Sequence, residues 1–418
     1  MTEPRIVVTT NGPGELMGWA RPFLRAVFDR APDADVTVIF VPCPYATGHE
    51  AQATAAMFPK AHVLDPKAYG RFLLRGRANA AATPGMHRGA GALQYLGGDL
   101  FHATTVARRL DLRPMTYKFT KRSYAQSFAR FFALDDRNAA ELRRNGAPAD
   151  RVKVVGNLVP DGVLGSLSRS VWSTRGGSGV SIMPGSRPNE IRLGLPFFLA
   201  VARELRRRKP DVKITFVLSP FNGDDELRAS LEARQDPRMF GISGTLRADG
   251  ACIEADGESF PIDRSGDYSA VANARLVVTI PGTKCIEAAV LGRPMLVAVP
   301  LNRADAITVN GLAGYLHLVP LVGRPLKSMI VRAAERRFRY VTQPNIDADR
   351  EIVPEMRGVL HPADVAAKAA ALLDDPAALD AMSDALSRIY LKDVGAAGRM
   401  ADEALEVAAG QAALRTAL

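Results

Sequence analysis

Two strand-to-helix junctions in the second half of the chain combine glycine with charged side chains. In MPGSRPNEI, Gly185, Ser186 and Arg187 stand between a short apolar run and a long helical pattern. Free backbone N–H groups at a helix N-terminus bind phosphate, glycine lets the backbone approach a ligand closely, and arginine supplies a forked positive charge. We therefore predict a diphosphate-binding junction here. The alternative is a capped helix start with a surface arginine.

The second junction, VVTIPGTKCIEAAVLG, places Gly282 and Thr283 between a strand pattern and a helix. Glu287 follows five residues after Gly282, within an apolar run. A lone carboxylate in a core is unfavourable without partners, and vicinal hydroxyls such as those of a ribose would supply them. The alternative is a surface acid that interacts with the helix dipole. We favour a ribose-binding role for Glu287.

The first half of the chain contains two loops with one carboxylate each. TTNGPGELMGW carries Gly12, Gly14 and Gly18 around Glu15, and LGGDLFHATTVARR places Asp99 after a Gly-Gly bend and before a helix. Each carboxylate could simply cap its helix. At the edge of a ligand cleft, it could instead take a proton from an attacking hydroxyl group. We therefore predict an acceptor-side loop at the three glycines and a general base at Asp99 or Glu15.

The order of strand and helix patterns predicts two doubly wound α/β domains. β-branched runs alternate with helical segments from RIVVTT to VKVVGN, and the same rhythm restarts at GVSIMPG. Such alternation is typical of a mostly parallel sheet covered by helices. We assign an N-terminal Rossmann-like acceptor domain to residues 1–163, a Ser/Gly-rich linker to 164–180, a Rossmann-like donor domain to 181–385 and C-terminal helices to 386–418.

This domain organisation predicts where ligands bind. Open α/β sheets bind ligands outside the carboxyl ends of their strands, so two facing domains would provide a cleft with one edge for each of two substrates. We expect the C-terminal helices to pack back on the first domain. The segment LRADGACIEADGESFPI combines alternation with turn signals, so we predict a hairpin inserted in the second domain.

The composition excludes several classes of protein. The chain has 418 residues and three cysteines without a CxxC pair, so we expect neither a disulfide framework nor a structural zinc site. No signal peptide pattern and no apolar run of about 18 residues is present, which predicts a cytoplasmic protein. The formal net charge of +10 favours anionic partners, although generic basic helix faces explain it equally well.

Two kinds of anionic partner can be weighed from the sequence. Basic and aromatic residues are not interleaved as in RNA-binding segments, so we expect no nucleic acid. The segment KAYGRFLLRGR, residues 67–77, mixes basic, aromatic and aliphatic residues. It predicts peripheral contact with an anionic membrane, on the inner face of the cytoplasmic membrane, or else a solvated helix.

The motifs of the second half resemble those of the lipid-A-disaccharide synthase family. MPGSRPNEI is similar to the family's LPGSR-xx-EI, and the match includes Arg187 and Glu190. PGTKCIE is similar to its SGT-xx-LE. QPNIDADREIVPE resembles its block PN-xx-AG-RE-LVPE, and the shared residues include Asn345, Arg350 and Glu351. In the first half, PGELMGW and GGDLF match the family's acidic loops more loosely. Relative to the family, the chain has extra sequence around 248–263 and 301–325.

The resemblance implies a GT-B fold, with two Rossmann-like domains facing each other across a cleft. It implies inverting, metal-independent transfer of a GlcNAc-type sugar from a UDP-sugar to a lipid-linked or sugar acceptor, without a cofactor. Asp99 or Glu15 would deprotonate the acceptor, Arg187 would stabilise the leaving diphosphate, and Glu287 would hold the ribose. The implied donor site comprises Gly185, Ser186, Arg187, Glu190, Gly282, Thr283, Glu287, Asn345, Arg350 and Glu351. A homodimer is a further expectation.

Two other functions stay open. A GT-B epimerase acting on UDP-N-acetylglucosamine would need a histidine and several carboxylates around the sugar. His317 is the histidine considered for that role, but it lies in the apolar run GYLHLVPL and is more typical of a core. The other alternative is a non-catalytic protein that binds a nucleotide-sugar.

Overall fold

The computed structural model of the protein describes residues 3–43, 46–75, 83–167, 177–233, 235–304 and 337–416. Residues 168–176 of the predicted linker lie outside these ranges, as do residues 305–325 of the second insertion, which include His317. The chain divides into two compact units, Met1–Gly165 with Asp393–Leu418, and Ser166–Lys392. Each unit has its own sheet and its own hydrophobic core.

Within the described residues, the first unit is built on a parallel seven-stranded sheet. Its strands are β1 Arg5–Thr10, β2 Asp35–Phe40, β3 His62–Leu64, β4 Ala92–Tyr95, β5 Arg113–Tyr117, β6 Arg130–Ala133 and β7 Val152–Val154. Their order is β3-β2-β1-β4-β5-β6-β7. The helices are α1 Pro13–Glu15, continued by a π-helical turn Leu16–Ala20, then α2 Arg21–Arg30, α3 Glu50–Met57, α4 Pro66–Arg75, α5 Leu100–Leu110, α6 Asp136–Arg144 and α7 Val159–Leu164.

The second unit, in its described part, contains an eight-stranded mixed sheet. Its strands are β8 Val180–Met183, β9 Ile214–Val217, β10 Thr245–Leu246, β11 Cys252–Ala255, β12 Glu258–Asp263, β13 Leu276–Thr279, β14 Met295–Pro300 and β15 Glu355–Gly358. Their order is β10-β11-β12-β9-β8-β13-β14-β15. The helices are α8 Pro188–Arg208, α9 Asp224–Glu232, α10 Ser269–Ala272, α11 Thr283–Val290, α12 Gln343–Ala348, α13 Pro362–Leu373 and α14 Pro376–Tyr390.

The predicted hairpin lies at one edge of the second sheet. β11 and β12 pair antiparallel, and β12 then pairs parallel with β9. Asp256 and Gly257 connect the two hairpin strands with φ angles of +50° and +81°. An Asp-Gly pair with positive φ at both positions is favoured in two-residue hairpin turns, because its twist matches that of the strands. The prediction of a hairpin is confirmed.

The C-terminal helix α15, Ala396–Thr416, belongs to the first unit. Its residue Gln411 accepts a hydrogen bond from Gly91 N and donates one to the carbonyl oxygen of Asp111, both at 2.8 Å. Residues up to Lys392 belong to the second unit. The boundary predicted at residue 386 therefore falls inside α14, Pro376–Tyr390. All of α14 belongs to the second unit, although the sequence reads as one continuous helical tail.

Each sheet has one place where the strand order reverses. In the first unit the chain moves from β1 outward to β2 and β3, and then returns to place β4 on the other side of β1. In the second unit, β9 and β13 flank β8 in the same way. Such switch points leave a crevice at the carboxyl ends of the two strands, where α/β proteins bind ligands. All four predicted glycine-rich loops follow these strands, at the ends of β1, β4, β8 and β13.

The segment predicted to contact a membrane forms α4 as far as the structure describes it. Tyr69 and Phe72 are core residues with exposures of 0% and 2%, whereas Leu74 is 88% exposed. Two of the apolar residues that motivated this prediction therefore pack against the sheet. Among the described helices, none combines the length and the apolar composition that crossing a bilayer requires.

Candidate active site

The loop between β8 and α8 depends on a glycine. Gly185 has a φ of +120°, and a Cβ on it would lie 2.6 Å from Cβ of Glu190 and 2.9 Å from Cδ1 of Ile280. A side chain at this position would collide with α8 on one side and with the loop after β13 on the other. The two predicted donor-site loops of the second unit therefore lie against each other.

The N-terminus of α8 is capped by a residue of the helix itself. Oε2 of Glu190 accepts hydrogen bonds from the backbone N–H groups of Ser186 at 3.0 Å and of Arg187 at 3.1 Å. Oε1 of Glu190 lies 3.5 Å from Nη1 of Arg187. The sequence predicted that a phosphate would occupy this cradle, with Glu190 in the donor site. In the structure a carboxylate fills it, because Glu190 at the third helical position folds back as in a capping box.

At the N-terminus of α11, the described residues include no side chain that plays the part of Glu190 in α8. Gly282 precedes this helix with a φ of +139°, and a Cβ on Gly282 would meet no other described atom within 4 Å. Within the described part of the chain, the space beside the first turn of α11, which begins at Thr283, is therefore open. Free N–H groups and the positive end of the helix dipole favour an anion at such a place.

Glu287 lies one turn further along α11 and is buried with a partner. Nζ of Lys284 donates a hydrogen bond to Oε2 of Glu287 at 2.9 Å, and the two side chains are 20% and 3% exposed. The burial of Glu287 agrees with its position in an apolar run. Its pairing with Lys284 is a feature that the sequence analysis missed, although the spacing of three residues on a helix is a known signal for ion pairs.

The cysteine of α11 provides a test of this burial. Burial is the largest cause that raises the pKa of the Cys285 thiol to about 12, and the nearby carboxylates of Glu355 and Glu287 add to the effect. Cys43 is partly exposed, and its Sγ lies 3.5 Å from Nδ2 of Asn11.

We predict that iodoacetamide at about pH 8 alkylates Cys43 in the native protein and reaches Cys285 only after unfolding, because the thiolate is the nucleophile. Peptide mass spectrometry would measure both rates. Cys43→Ser is the control, since it should abolish the fast reaction. Equal labelling of Cys43 and Cys285 in the native state would contradict the burial of α11.

Asn345 is a buried residue of α12 that links this helix to the segment leading into β15. Its Nδ2 donates to the carbonyl of Val353 and to Oε1 of Glu355, both at 2.9 Å. Its Oδ1 accepts from the N–H groups of Ile352 at 2.8 Å and Val353 at 3.0 Å. An amide side chain offers two donors and two acceptor lone pairs, so these contacts use its full capacity. Asn345 is predicted to contact the donor, and in the structure its side chain holds the segment between α12 and β15.

The remaining two residues predicted for the donor site follow α12. Asp349 ends this helix with a φ of +49°, and Arg350 and Glu351 after it are exposed. The structure thus brings Gly185, Gly282 and Glu287 to neighbouring strands at the switch point. Arg350 and Glu351 are exposed residues of the loop between α12 and β15, which Asn345 holds.

In the first unit, the loops after β1 and β4 touch each other. Gly97 has a φ of +150°, and a Cβ on it would lie 2.4 Å from Oδ1 of Asn11. In the β1 loop, Oε2 of Glu15 lies 3.1 Å from the position that a Cβ on Gly12 would take. Glycine is therefore required sterically at Gly97, and Glu15 lies over Gly12. Gly14 is in α1 and Gly18 is in the π-helical turn.

Asp99 caps α5 and also meets a lysine. Its Oδ1 accepts a hydrogen bond from Phe101 N at 2.8 Å, and Nζ of Lys121 lies 3.4 Å from its Oδ2. The hydrogen bond from Phe101 is the largest cause that lowers the pKa of Asp99, and the charge of Lys121 lowers it further. The Asp99 side chain is 53% exposed, so the capping carboxylate also faces solvent.

A buried tyrosine lies near the carboxylates of Glu15 and Asp99 in the first unit. The hydroxyl of Tyr95, at the end of β4, donates to the carbonyl of Gly98 at 2.7 Å. Burial, together with the negative charges of Asp99 and Glu15, raises the pKa of Tyr95 above its ordinary value. Because the loops after β1 and β4 touch at Gly97 and Asn11, and the charges of both carboxylates affect this one hydroxyl, we group Glu15 and Asp99 as one cluster. The sequence did not identify Tyr95 or Lys121 as parts of it.

Comparisons with known proteins show what this chain is similar to in sequence and in fold. No family model matches the chain. A lipid-A-disaccharide synthase from Anaeromyxobacter dehalogenans (strain 2CP-1) is 28% identical over 231 residues, which are 54% of this chain and 49% of that protein. The enzyme of the same name from Syntrophus aciditrophicus is 29% identical, over 54% of this chain and 48% of that protein. About half of this chain is thus similar in sequence to lipid-A-disaccharide synthases. The chain spans about half the length of the curated relatives it matches.

Solved structures extend the likeness in fold to nearly the whole chain. UDP-GlcNAc 2-epimerase from Neisseria meningitidis, bound to UDP-GlcNAc, matches with a TM-score of 0.55 at 13% identity, over 96% of this chain and 100% of that one. At this identity the likeness shows the fold alone. The likeness in fold confirms the predicted GT-B class, with two doubly wound α/β domains, for this chain.

Proposed function

We propose that this chain is an inverting, metal-independent glycosyltransferase that moves a GlcNAc-type sugar from a UDP-sugar to a lipid-linked or sugar acceptor. The observation that carries the proposal is the buried carboxylate of Glu287 on the helix that follows the switch-point strand β13. In the described part of the chain, no side chain caps the N-terminus of that helix. The similarity to lipid-A-disaccharide synthases supports the same class of reaction.

In the donor half of the reaction, the second unit would bind the nucleotide. A buried carboxylate can accept hydrogen bonds from the vicinal hydroxyls of a ribose, which is the role we assign to Glu287. The first turn of α11, from Thr283, would face the diphosphate, and Arg187 would add positive charge. We assign the diphosphate to α11 because Glu190 already caps α8. These groups would stabilise the charge that collects on UDP as it leaves.

In the acceptor half, the first unit would supply the base. A carboxylate of the Glu15 and Asp99 cluster takes the proton of the acceptor hydroxyl, and the oxygen attacks the anomeric carbon of the donor sugar. The bond from that carbon to the diphosphate oxygen breaks, and its electron pair leaves with UDP. One displacement on the face opposite the leaving group inverts the anomeric configuration.

The second candidate is a UDP-N-acetylglucosamine 2-epimerase. The observation in its favour is His102, which lies in the first turn of α5 beside Asp99, with its Nδ1 2.8 Å from Oη of Tyr69. A histidine therefore accompanies the two carboxylates in this cluster. The N. meningitidis protein that shares the fold is an enzyme of this kind.

The proposed function is tested with a panel of UDP-sugars, each incubated with the full chain with and without lipid-linked and free sugar acceptors. We expect UDP release that requires both a donor and an acceptor, with an inverted anomeric centre in the product by NMR. Conversion of the sugar without acceptor would replace the proposal by the epimerase. Tight UDP binding without turnover of any donor would replace it by a nucleotide-sugar-binding protein.

A further inference from the structure

The Lys284–Glu287 pair is unusual because it is buried within the first turns of a helix at the switch point. The side chain of Glu287 is 3% exposed, and Lys284 is its hydrogen-bonding partner at 2.9 Å. Among the residues that the structure describes, no other side chain bonds to Glu287. A buried ion pair is tolerated only while both charges are present, because removal of one leaves the other uncompensated. Lys284 therefore supplies the charge that pairs with this buried carboxylate.

The space next to Gly282, two residues before Lys284, could hold an anionic ligand whose charge a nearby cation would balance. Among the residues that the structure describes, no side chain caps the N-terminus of α11 and none fills the space next to Gly282. A nucleoside diphosphate would bring at least two negative charges to this place, in addition to that of Glu287. Across the switch point, the charge of Arg187 is shared with Glu190 at 3.5 Å. The lysine on α11 is therefore well placed to balance the added charge.

We propose that Lys284 changes partners when the donor binds: it leaves its ion pair with Glu287 and contacts the diphosphate, while the ribose hydroxyls donate to Glu287. This inference rests on the proposed function. A lysine suits the exchange because it carries a compact charge on a flexible stem with three rotatable donors. Lys284 is then a donor-binding residue at a position that the family motif SGT-xx-LE leaves unspecified.

The test separates contact with phosphate from support of Glu287. Dissociation constants for uridine and for UDP are measured by calorimetry on the full chain, and their ratio gives the gain in affinity from the diphosphate. Lys284→Met alone would leave Glu287 buried and unpaired, which can impair folding. The comparison is therefore between Glu287→Gln and the double variant Lys284→Met/Glu287→Gln. Both lack the carboxylate of Glu287, so the loss of Lys284 leaves no buried charge unpaired.

We expect the uridine-to-UDP ratio to fall by about tenfold in the double variant relative to Glu287→Gln, as for the loss of one charge-assisted hydrogen bond. The matched control is Lys213→Met. This substitution removes an exposed lysine directly before β9, at the amino end of the strand and away from the switch-point crevice at the carboxyl ends. It should leave the ratio unchanged.

Two other results would overturn the proposal, and they are distinguishable. An equal ratio in Glu287→Gln and in the double variant would show that Lys284 only supports Glu287, while the proposed function stands. A wild-type protein that binds neither UDP nor uridine would overturn the proposed function together with this inference.

Discussion

Replacing Asp99 by asparagine is expected to lower glycosyl transfer by about 10²–10⁴-fold, the usual contribution of a general base, without weakening UDP binding. Asparagine is as good a helix N-cap as aspartate, so it should keep the hydrogen bond from Phe101 N and the start of α5. The variant thus removes the proton acceptor and leaves the fold intact. Initial rates of UDP release and calorimetry with UDP measure the two effects separately.

The lowered pKa of Asp99 gives this prediction a pH signature. A base whose pKa is depressed stays ionised at every pH above that value, so activity that depends on Asp99 should not decline between about pH 8 and pH 5. Lys121 contributes to the depression across 3.4 Å. Lys121→Met should therefore raise the pKa of Asp99 and move the acid limb of the rate profile upward.

Glu15 provides the matched carboxylate. It lies in the same cluster over Gly12, and although it precedes the π-helical turn, its side chain makes no cap hydrogen bond there. If Asp99 is the base, Glu15→Gln should cost much less turnover than Asp99→Asn. The reverse order, with full activity in Asp99→Asn, would assign the base to Glu15 and leave Asp99 as a helix cap.

The elements that carry the cluster residues were predictable because their signals are local. β1 reads as an apolar and β-branched run, and glycines follow it before the helical pattern begins. The same holds for Asp99, which follows a Gly-Gly bend and starts a helix. Since parallel strands bring their carboxyl ends to one edge, the alternation alone predicts that such loops gather at switch points.

The capping of α8 was also within reach of the sequence. Pro188 is favoured at the first position of a helix, which fixes Arg187 as the N-cap and Glu190 as the third helical residue. A glutamate there is one half of a capping box. Gly-Ser-Arg suggests a phosphate cradle, and the alternative of a capped helix start does not by itself identify Glu190 as the residue that accepts from Ser186 and Arg187.

The network around Asn345 could not be predicted from the sequence. Glu355 accepts hydrogen bonds from Thr342 N at 2.9 Å and from Asn345 at 2.9 Å, across separations of 13 and 10 residues. These contacts exist only because the chain reverses between α12 and β15, and no local pattern specifies that path. A polar asparagine in a turn-rich segment is equally typical of an exposed loop.

Replacing Asn345 by alanine is expected to destabilise the second unit by about 3 kcal/mol, because several buried groups lose their partners together. The N–H groups of Ile352 and Val353 and the carboxylate of Glu355 would be left without the amide. Urea unfolding gives the magnitude, fitted with separate transitions for the two units, since a single two-state fit is not justified for such a chain. Hydrogen exchange should accelerate first at residues 352 and 353.

The controls decide between this structural role and direct contact with the donor. Arg350→Ala alters an exposed side chain a few residues away and should leave stability within about 0.5 kcal/mol of the wild type. Asn345→Asp keeps both acceptor contacts but places a second carboxylate against Glu355, so its stability should be lowest at neutral pH and recover as the acids protonate. Unchanged stability in Asn345→Ala, with weaker UDP binding, would instead restore Asn345 to the donor site.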